Sequence, residues 1–196
     1  MKILKYILYG IILLVLLFLS FGLFNPSVSY GHEIKVDKPL NETWAVTQDE
    51  TKYPEWLEGF QSMELISGER MEEGSQYKII VNPGEGQPDF EMIETLKAIK
   101  EFEFVDMHFV SDFMDFEQKM FFSEVDGKTS VRSDSKVIGK NIFTKSMFSI
   151  METFGGSFQK QEAKNMEALK KVIEKNTTDY FPAPDVETEE EVSEEG

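Results

Sequence analysis

Residues Met114–Ile138 read MDFEQKMFFSEVDGKTSVRSDSKVI, and their two-residue period decides the class of fold. Met114, Phe116, Met120 and Phe122 alternate with Asp115, Glu117, Lys119 and Phe121, the pattern of a strand with one face buried. Asp126-Gly127 interrupts the pattern with residues suited to the positive backbone angles of a tight hairpin turn. Beyond the turn, Val131 and Val137 share a face, with Ser130, Arg132, Asp134 and Lys136 on the other. The stretch therefore predicts two antiparallel strands, Met114–Val125 and Thr129–Ile138. Their apolar faces are interrupted by Gln118, Ser133 and Ser135. A buried polar group without a partner costs about 1–3 kcal/mol, so these three need each other, water or the polar end of a ligand.

Towards the carboxy terminus the period changes after Gly139. Phe143, Met147, Ile150, Met151, Phe154 and Phe158 recur at three- and four-residue steps, and Met166, Leu169, Val172 and Ile173 resume the stripe. This predicts one long amphipathic helix, or two end to end, divided at Gly155-Gly156. Each interior glycine costs about 1 kcal/mol relative to alanine, so the pair implies a kink, a close approach or a hinge. Of these, a hinge would let Phe143–Phe154 move while Phe158–Ile173 stays docked.

Towards the amino terminus, turn signals separate further strands: Phe60–Ile66, Ser75–Val81, Phe90–Lys100 and Phe102–Val110. Before them, Pro39 opens a short helical segment through Trp44 and Val46, and Tyr53-Pro54-Glu55-Trp56-Leu57 forms a second that ends at Gly59. Glu33–Val36 is a first short strand, with Ile34 and Val36 on one face.

Strand, two short helices, six antiparallel strands and a long final helix is the order of a helix grip. On Ile34-Lys35-Val36 leading to Pro39 and Trp44, on Tyr53-Pro54-Glu55-Trp56, on Gly68 to Gly74-Ser75, and on Phe158 followed by Asn165-Met166-Glu167-Ala168-Leu169-Lys170-Lys171, the chain resembles the polyketide cyclase/dehydrase branch of the START-like (Bet v 1-like, SRPBCC) superfamily. The resemblance covers about residues 30–176. It implies an α+β fold in which a curved antiparallel sheet wraps a long carboxy-terminal helix, with a cavity between them for lipids or other apolar molecules. The superfamily has no universal catalytic set, so no catalytic residue is carried over. The expected ligand-facing set is Tyr77, Ile79, Met114, Phe116, Met120, Phe122, Val131, Phe154 and Phe158, with Gln118, Ser133 and Ser135 to orient a guest.

The first residues stand outside that pattern. Lys2 and Lys5 precede an uncharged apolar run, Tyr6–Phe24, that Asn25-Pro26 stops. Nineteen residues at a helical rise of about 1.5 Å reach about 28 Å, close to the hydrocarbon thickness of a bilayer. The run is longer than the core of a signal peptide, and the best small-x-small match, Ser27-Val28-Ser29, follows a proline. We therefore expect an uncleaved transmembrane anchor over residues 1–25, a helix-grip domain over 30–178 and an acidic disordered tail over 182–196. The lysines favour a cytoplasmic amino terminus with the domain on the other side, a bias weakened by Lys35 and Lys38.

Composition narrows the chemistry. The formal charge is -16, and setting aside the tail's -7 and the anchor's +2 leaves -11 for residues 25–184. Such a body is repelled by nucleic-acid phosphates, which argues against a nucleic-acid partner. Seventeen phenylalanines and ten methionines supply a bulky, deformable interior. The chain has no cysteine and only two histidines, His32 and His108, so neither a zinc site nor a cysteine nucleophile is expected, nor any cofactor. Neither histidine sits in a catalytic motif, and Gly84 and Gly86 lack the lysine of a phosphate loop. The function expected is a membrane-anchored binding protein for a small hydrophobic ligand or lipid. The alternatives are a cyclase- or dehydratase-like enzyme using His108 or a cavity carboxylate, and a protein-interaction module with a filled core.

Overall fold

The computed structural model describes residues 2–84 and 86–182, so the acidic run Asp185–Gly196 lies outside the described residues. Seven strands form one antiparallel sheet in the order β1-β7-β6-β5-β4-β3-β2: β1 (Ser27–Val36), β2 (Phe60–Ser67), β3 (Gln76–Val81), β4 (Phe90–Lys100), β5 (Phe104–Val110), β6 (Met114–Val125) and β7 (Lys128–Gly139). Sequential hairpins run from β2 to β7. The sheet is completed at its far edge by β1, and the path from β1 to β2 crosses through two short helices, α2 (Leu40–Gln48) and α3 (Tyr53–Trp56). The final helix, α5 (Ser157–Lys175), lies against β1, α2 and α3 on the inner face of the sheet. This is the helix grip expected from the sequence.

The β6–β7 hairpin turns as its residues dictate. Val125 pairs with Lys128, and Asp126 and Gly127 take φ of 53° and 72°, the positive angles of a two-residue turn matched to strand twist. Its faces are also those of the sequence pattern: Val131, Ser133, Ser135 and Val137 are all buried. The main core forms where α5 meets the sheet. Met166, Leu169 and Ile173 of α5 pack with Val36, Leu96, Val105, Phe122 and Val131, and Trp44 and Val46 of α2 close the layer. Burying each of these side chains contributes roughly 1.5–3 kcal/mol.

Three boundaries differ from expectation. β1 is not a four-residue strand at Glu33–Val36 but begins at Ser27, where its partner is Ile138. The two-residue period in fact runs back from Val36 through Ile34, His32 and Tyr30 to Val28, with Ser27, Ser29, Gly31, Glu33 and Lys35 on the other face, and all ten residues pair with β7. β5 begins at Phe104 because Phe102, with φ of 63°, belongs to the preceding turn. The amphipathic stripe after Gly139 forms two helices, α4 (Ile142–Ile150) and α5, joined by a wide turn over Met151–Gly155. Gly156, with φ of 57°, is the break. A Cβ there would meet only the end of Lys160 at 3.9 Å, so the glycine serves the backbone angle and not a close approach.

The amino-terminal helix α1 (Lys2–Phe24) is one helix long and apolar enough to cross a membrane. Its last turns do not hang free. They pack on α4, which is started by Asn141, whose Oδ1 accepts from Thr144 N at 3.0 Å while Thr144 Oγ1 accepts from Asn141 N at 3.2 Å. Gly22 N donates to Ser146 Oγ at 3.2 Å, and Phe18 and Phe21 meet Phe143 and Phe154 with ring centroids 5.4 and 5.7 Å apart. Any side chain at position 22 would collide with Ser146 and with Ile142 O, at 2.5 and 2.9 Å from a Cβ. Phe143–Phe154 is thus the seat of α1.

Candidate functional site

A cavity of about 250 Å³ lies between the inner face of the sheet and α5. Strand alternation builds most of it. Ile79 and Val81 of β3, Met92 and Glu94 of β4, Val105, Met107 and Phe109 of β5, and Phe116, Gln118 and Met120 of β6 all point inward because each set shares a parity on its strand. Phe158, Glu162 and Met166, spaced by one helical turn, close it from α5, and Trp56 and Leu57 close it from α3. Phe116 stacks on Phe109 with centroids 5.0 Å apart, and Tyr30 stacks on Phe158 at 5.6 Å, so one end of the space is walled by aromatic rings.

The polar groups in this wall fall into two stations. At the first, Gln118 Nε2 donates to Ser135 Oγ and to Glu162 Oε1, each at 3.3 Å. Burial pushes the Glu162 carboxyl above its ordinary range, opposed by Ser133, by His32 and by Gln118. This station satisfies itself. At the second, Glu94 is 7% exposed, and no hydrogen bond to its carboxyl forms among the described residues. Burial, with the charge of Glu50 adding to it, pushes its pKa up to about 7. The same burial, reinforced first by Glu94, raises the Tyr53 phenol. Beside Tyr53, with rings 5.8 Å apart, Trp56 keeps its indole N–H buried and without a partner. The Glu94 carboxyl thus remains open to whatever occupies the space, while the Trp56 N–H is enclosed in its wall.

Between α3 and α5 the rim of the cavity carries a surface network. Glu58 accepts from Gln161 Nε2 at 2.6 Å and from Lys164 Nζ at 2.5 Å, and Glu58 N donates to Asn165 Oδ1 at 3.3 Å. The Lys164 and Gln161 bonds hold the Glu58 carboxyl below its ordinary range. An exposed ion pair of this kind contributes little stability, so its place across the rim matters more than its energy.

Of the side chains expected from the sequence to face a ligand, the structure brings together Ile79, Phe116, Gln118, Met120 and Phe158. The others are elsewhere. Tyr77 is buried at the end of β3, its hydroxyl accepting from Met71 N at 3.0 Å. Phe122 packs edge-on to Trp44 at 4.9 Å, and Val131 joins the same filled core. Met114 belongs to a smaller cluster with Val28, Val137 and Phe148. Ser133 Oγ pairs with the backbone of His32, and Ser135 with Gln118, so neither hydroxyl is left for a guest. Phe154 is 76% exposed and lies against α1. His108 is on the outer face of the sheet, in a broad open depression with Asp106, Glu117 and Lys119, so it plays no part in the cavity. Sequence reasoning missed Glu94 and Trp56. Glu94 shares the parity of Met92 and Leu96, which marks it as an inward acid once that strand is read for faces.

No protein-family model matches the sequence, and no curated protein matches it. Solved structures do. Ara h 8.0201 superposes with a TM-score of 0.59 at 14% identity, covering 76% of this chain and 99% of its own. A conserved protein from Geobacillus kaustophilus gives 0.59 at 16% identity, covering 74% and 95%. The di-domain ARO/CYC protein BexL of the BE-7585A biosynthetic pathway gives 0.56 at 11% identity over 78% of this chain and 52% of its own. The fold is a Bet v 1-like helix grip. At these identities the likeness speaks for architecture alone.

Proposed function

We propose that this chain is a membrane-anchored binding protein that holds a small hydrophobic ligand between its sheet and α5. The observation that carries this reading is the cavity of about 250 Å³, walled largely by aliphatic, aromatic and methionine side chains, with Glu94 as an inward polar group. Its size suits a compact guest rather than a whole diacyl lipid. The protein-interaction alternative requires a filled core and is disfavoured by that space. α1 serves as the anchor, with Lys2 and Lys5 on the cytoplasmic side. Two features support retention of α1 over cleavage. Its last turns are fitted to α4 through Gly22 and Ser146, and the Ser27-Val28-Ser29 segment is part of paired β1. The test is native mass spectrometry of the full-length chain released from detergent. One bound apolar molecule per chain is expected, and it should be lost in Met120→Trp, which fills the space. Chains free of added mass, with no saturable displacement of a fluorescent fatty-acid probe, would rule the reading out.

A second reading, a cyclase- or dehydratase-like enzyme, is favoured by one observation. Glu94 is an inward carboxyl whose pKa of about 7 lets it give or take a proton near neutral pH. It then replaces His108 as the acid–base candidate. Retained ligand binding in Glu94→Gln, with no chemical change of the bound molecule in either protein, would remove this alternative.

A further inference from the structure

The outward side of α4 and the turn after it carry apolar residues that neither the core nor the cavity uses. Phe143 is 60% exposed, Phe154 76%, Met151 41% and Ile142 39%. Phe143 and Phe154 meet Phe18 and Phe21 of α1, with Ile142 beside Phe143 in the chain and Met151 three residues before Phe154, so exposed apolar groups of α1 and of the domain adjoin. Large apolar groups exposed in one contiguous patch mark a contact surface. What covers this patch follows from the length of α1. The apolar run Tyr6–Phe24 reaches about 28 Å only if all of it is counted. Tyr6–Leu17, the part that projects clear of the domain, supplies about 18 Å of that, against the roughly 30 Å of a hydrocarbon core. The remaining 10 Å or so must come from Phe18–Phe24, the turns docked on α4.

We propose that α4 and the Met151–Gly155 turn contact the lipid bilayer directly, as an interfacial element that seats the domain on the membrane beside its own anchor. The occupant is lipid and not a second protein because α1 cannot span while keeping Phe18 and Phe21 against Phe143 and Phe154 unless those two rings reach membrane depth with it. An apolar helix face lying about 5–10 Å into the headgroup boundary is the usual depth of such elements. Lys140 just precedes α4, Lys145 lies on it and Lys160 is in the first turn of α5, and lysines so placed can reach the headgroup level on their long stems. The inference rests on α1 spanning the bilayer, and its test separates the two.

The chain has no cysteine, so single thiols can be placed and labelled with bimane without background. Full-length Ile12→Cys, Met151→Cys, Phe154→Cys and Lys128→Cys proteins are reconstituted into phosphatidylcholine–phosphatidylglycerol vesicles with and without nitroxide-bearing acyl chains. Positions 12, 151 and 154 should lose most of their emission to the nitroxide lipid, and position 128 on the β6–β7 hairpin should keep it. Quenching at 12 but at neither 151 nor 154 overturns the contact while leaving the anchor intact. Absence of quenching at 12 overturns the anchor and the contact with it. Disulfide formation between copies at position 154, with no quenching there, assigns the patch to a second copy of the chain and also overturns the proposal.

Discussion

Glu94 stands on the inner face of β4 between Met92 and Leu96, where an apolar residue would fill the layer. Its carboxyl is protonated more readily in the folded chain than in the unfolded one, because burial and the charge of Glu50 both disfavour ionisation. From an ordinary value of 4.5 to about 7, the unfolded state gives up its proton while the folded state holds it. Stability contributed by the neutral acid is therefore intact below pH 4.5 and is lost as pH rises towards 7, a fall on the order of 3 kcal/mol if no ligand intervenes. Glu162 shifts in the same direction and adds to the slope. Glu94→Gln should flatten this decline and raise the unfolding midpoint above neutral pH, as read by denaturant titration of the full-length protein at a series of pH values. An unchanged slope in the variant would place the titration elsewhere.

The break between α4 and α5 shows at the level of elements what two glycines accomplish. Gly156 holds φ of 57°, a region that costs an L-residue roughly 1–2 kcal/mol, whereas Gly155 is in the ordinary region and a Cβ there would meet only Ser157 Oγ, at 3.0 Å. Gly156→Ala should therefore destabilise the protein by about that amount, while Gly155→Ala should be neutral or stabilising by up to about 1 kcal/mol. Thermal unfolding of the two variants separates them. The opposite order would mean that the αL turn is not what joins the helices. The glycine pair looked like a point of weakness in one long helix. It is instead a corner that lets α4 turn towards α1 while α5 continues along the sheet.

For the whole molecule, α1 is packed onto the helix grip through the close contact of Gly22 with Ser146 and through two aromatic pairs. Full-length protein should resist extraction with alkaline carbonate. A chain beginning at Ser27 should be released from membranes but should self-associate in solution, because Phe143 and Phe154, already largely exposed beside α1, lose both the remaining cover of α1 and that of the lipid. Phe143→Ser with Phe154→Ser should return that shortened chain to a monomer in analytical ultracentrifugation. A monomer without those changes would show that α1 covers nothing of consequence.

Much of this architecture could be read from residue order alone. The period-two pattern of Met114–Ile138, the turn at Asp126-Gly127, the short helices at Trp44 and Trp56 and the stripe of α5 are local signals, since each depends on neighbours no more than about four residues away. The length of the apolar run Tyr6–Phe24 is equally local. Inward parity also placed Ile79, Phe116, Gln118, Met120 and Phe158 on the faces that enclose the cavity. Parity cannot tell where along a strand a face is filled and where it is empty. Phe122 and Val131 share a filled core with Trp44 and Leu169, while Phe116 and Met120 line space, and only the packing of α2 and α5 on the sheet decides between them. The partners of Ser133 and Ser135, the solitude of Glu94 and Trp56 Nε1, and the docking of α1 on a helix more than a hundred residues away are likewise contacts across sequence distance. Local periodicity determines which elements form; the packing of one element on another determines which of their side chains are left to meet a ligand or a membrane.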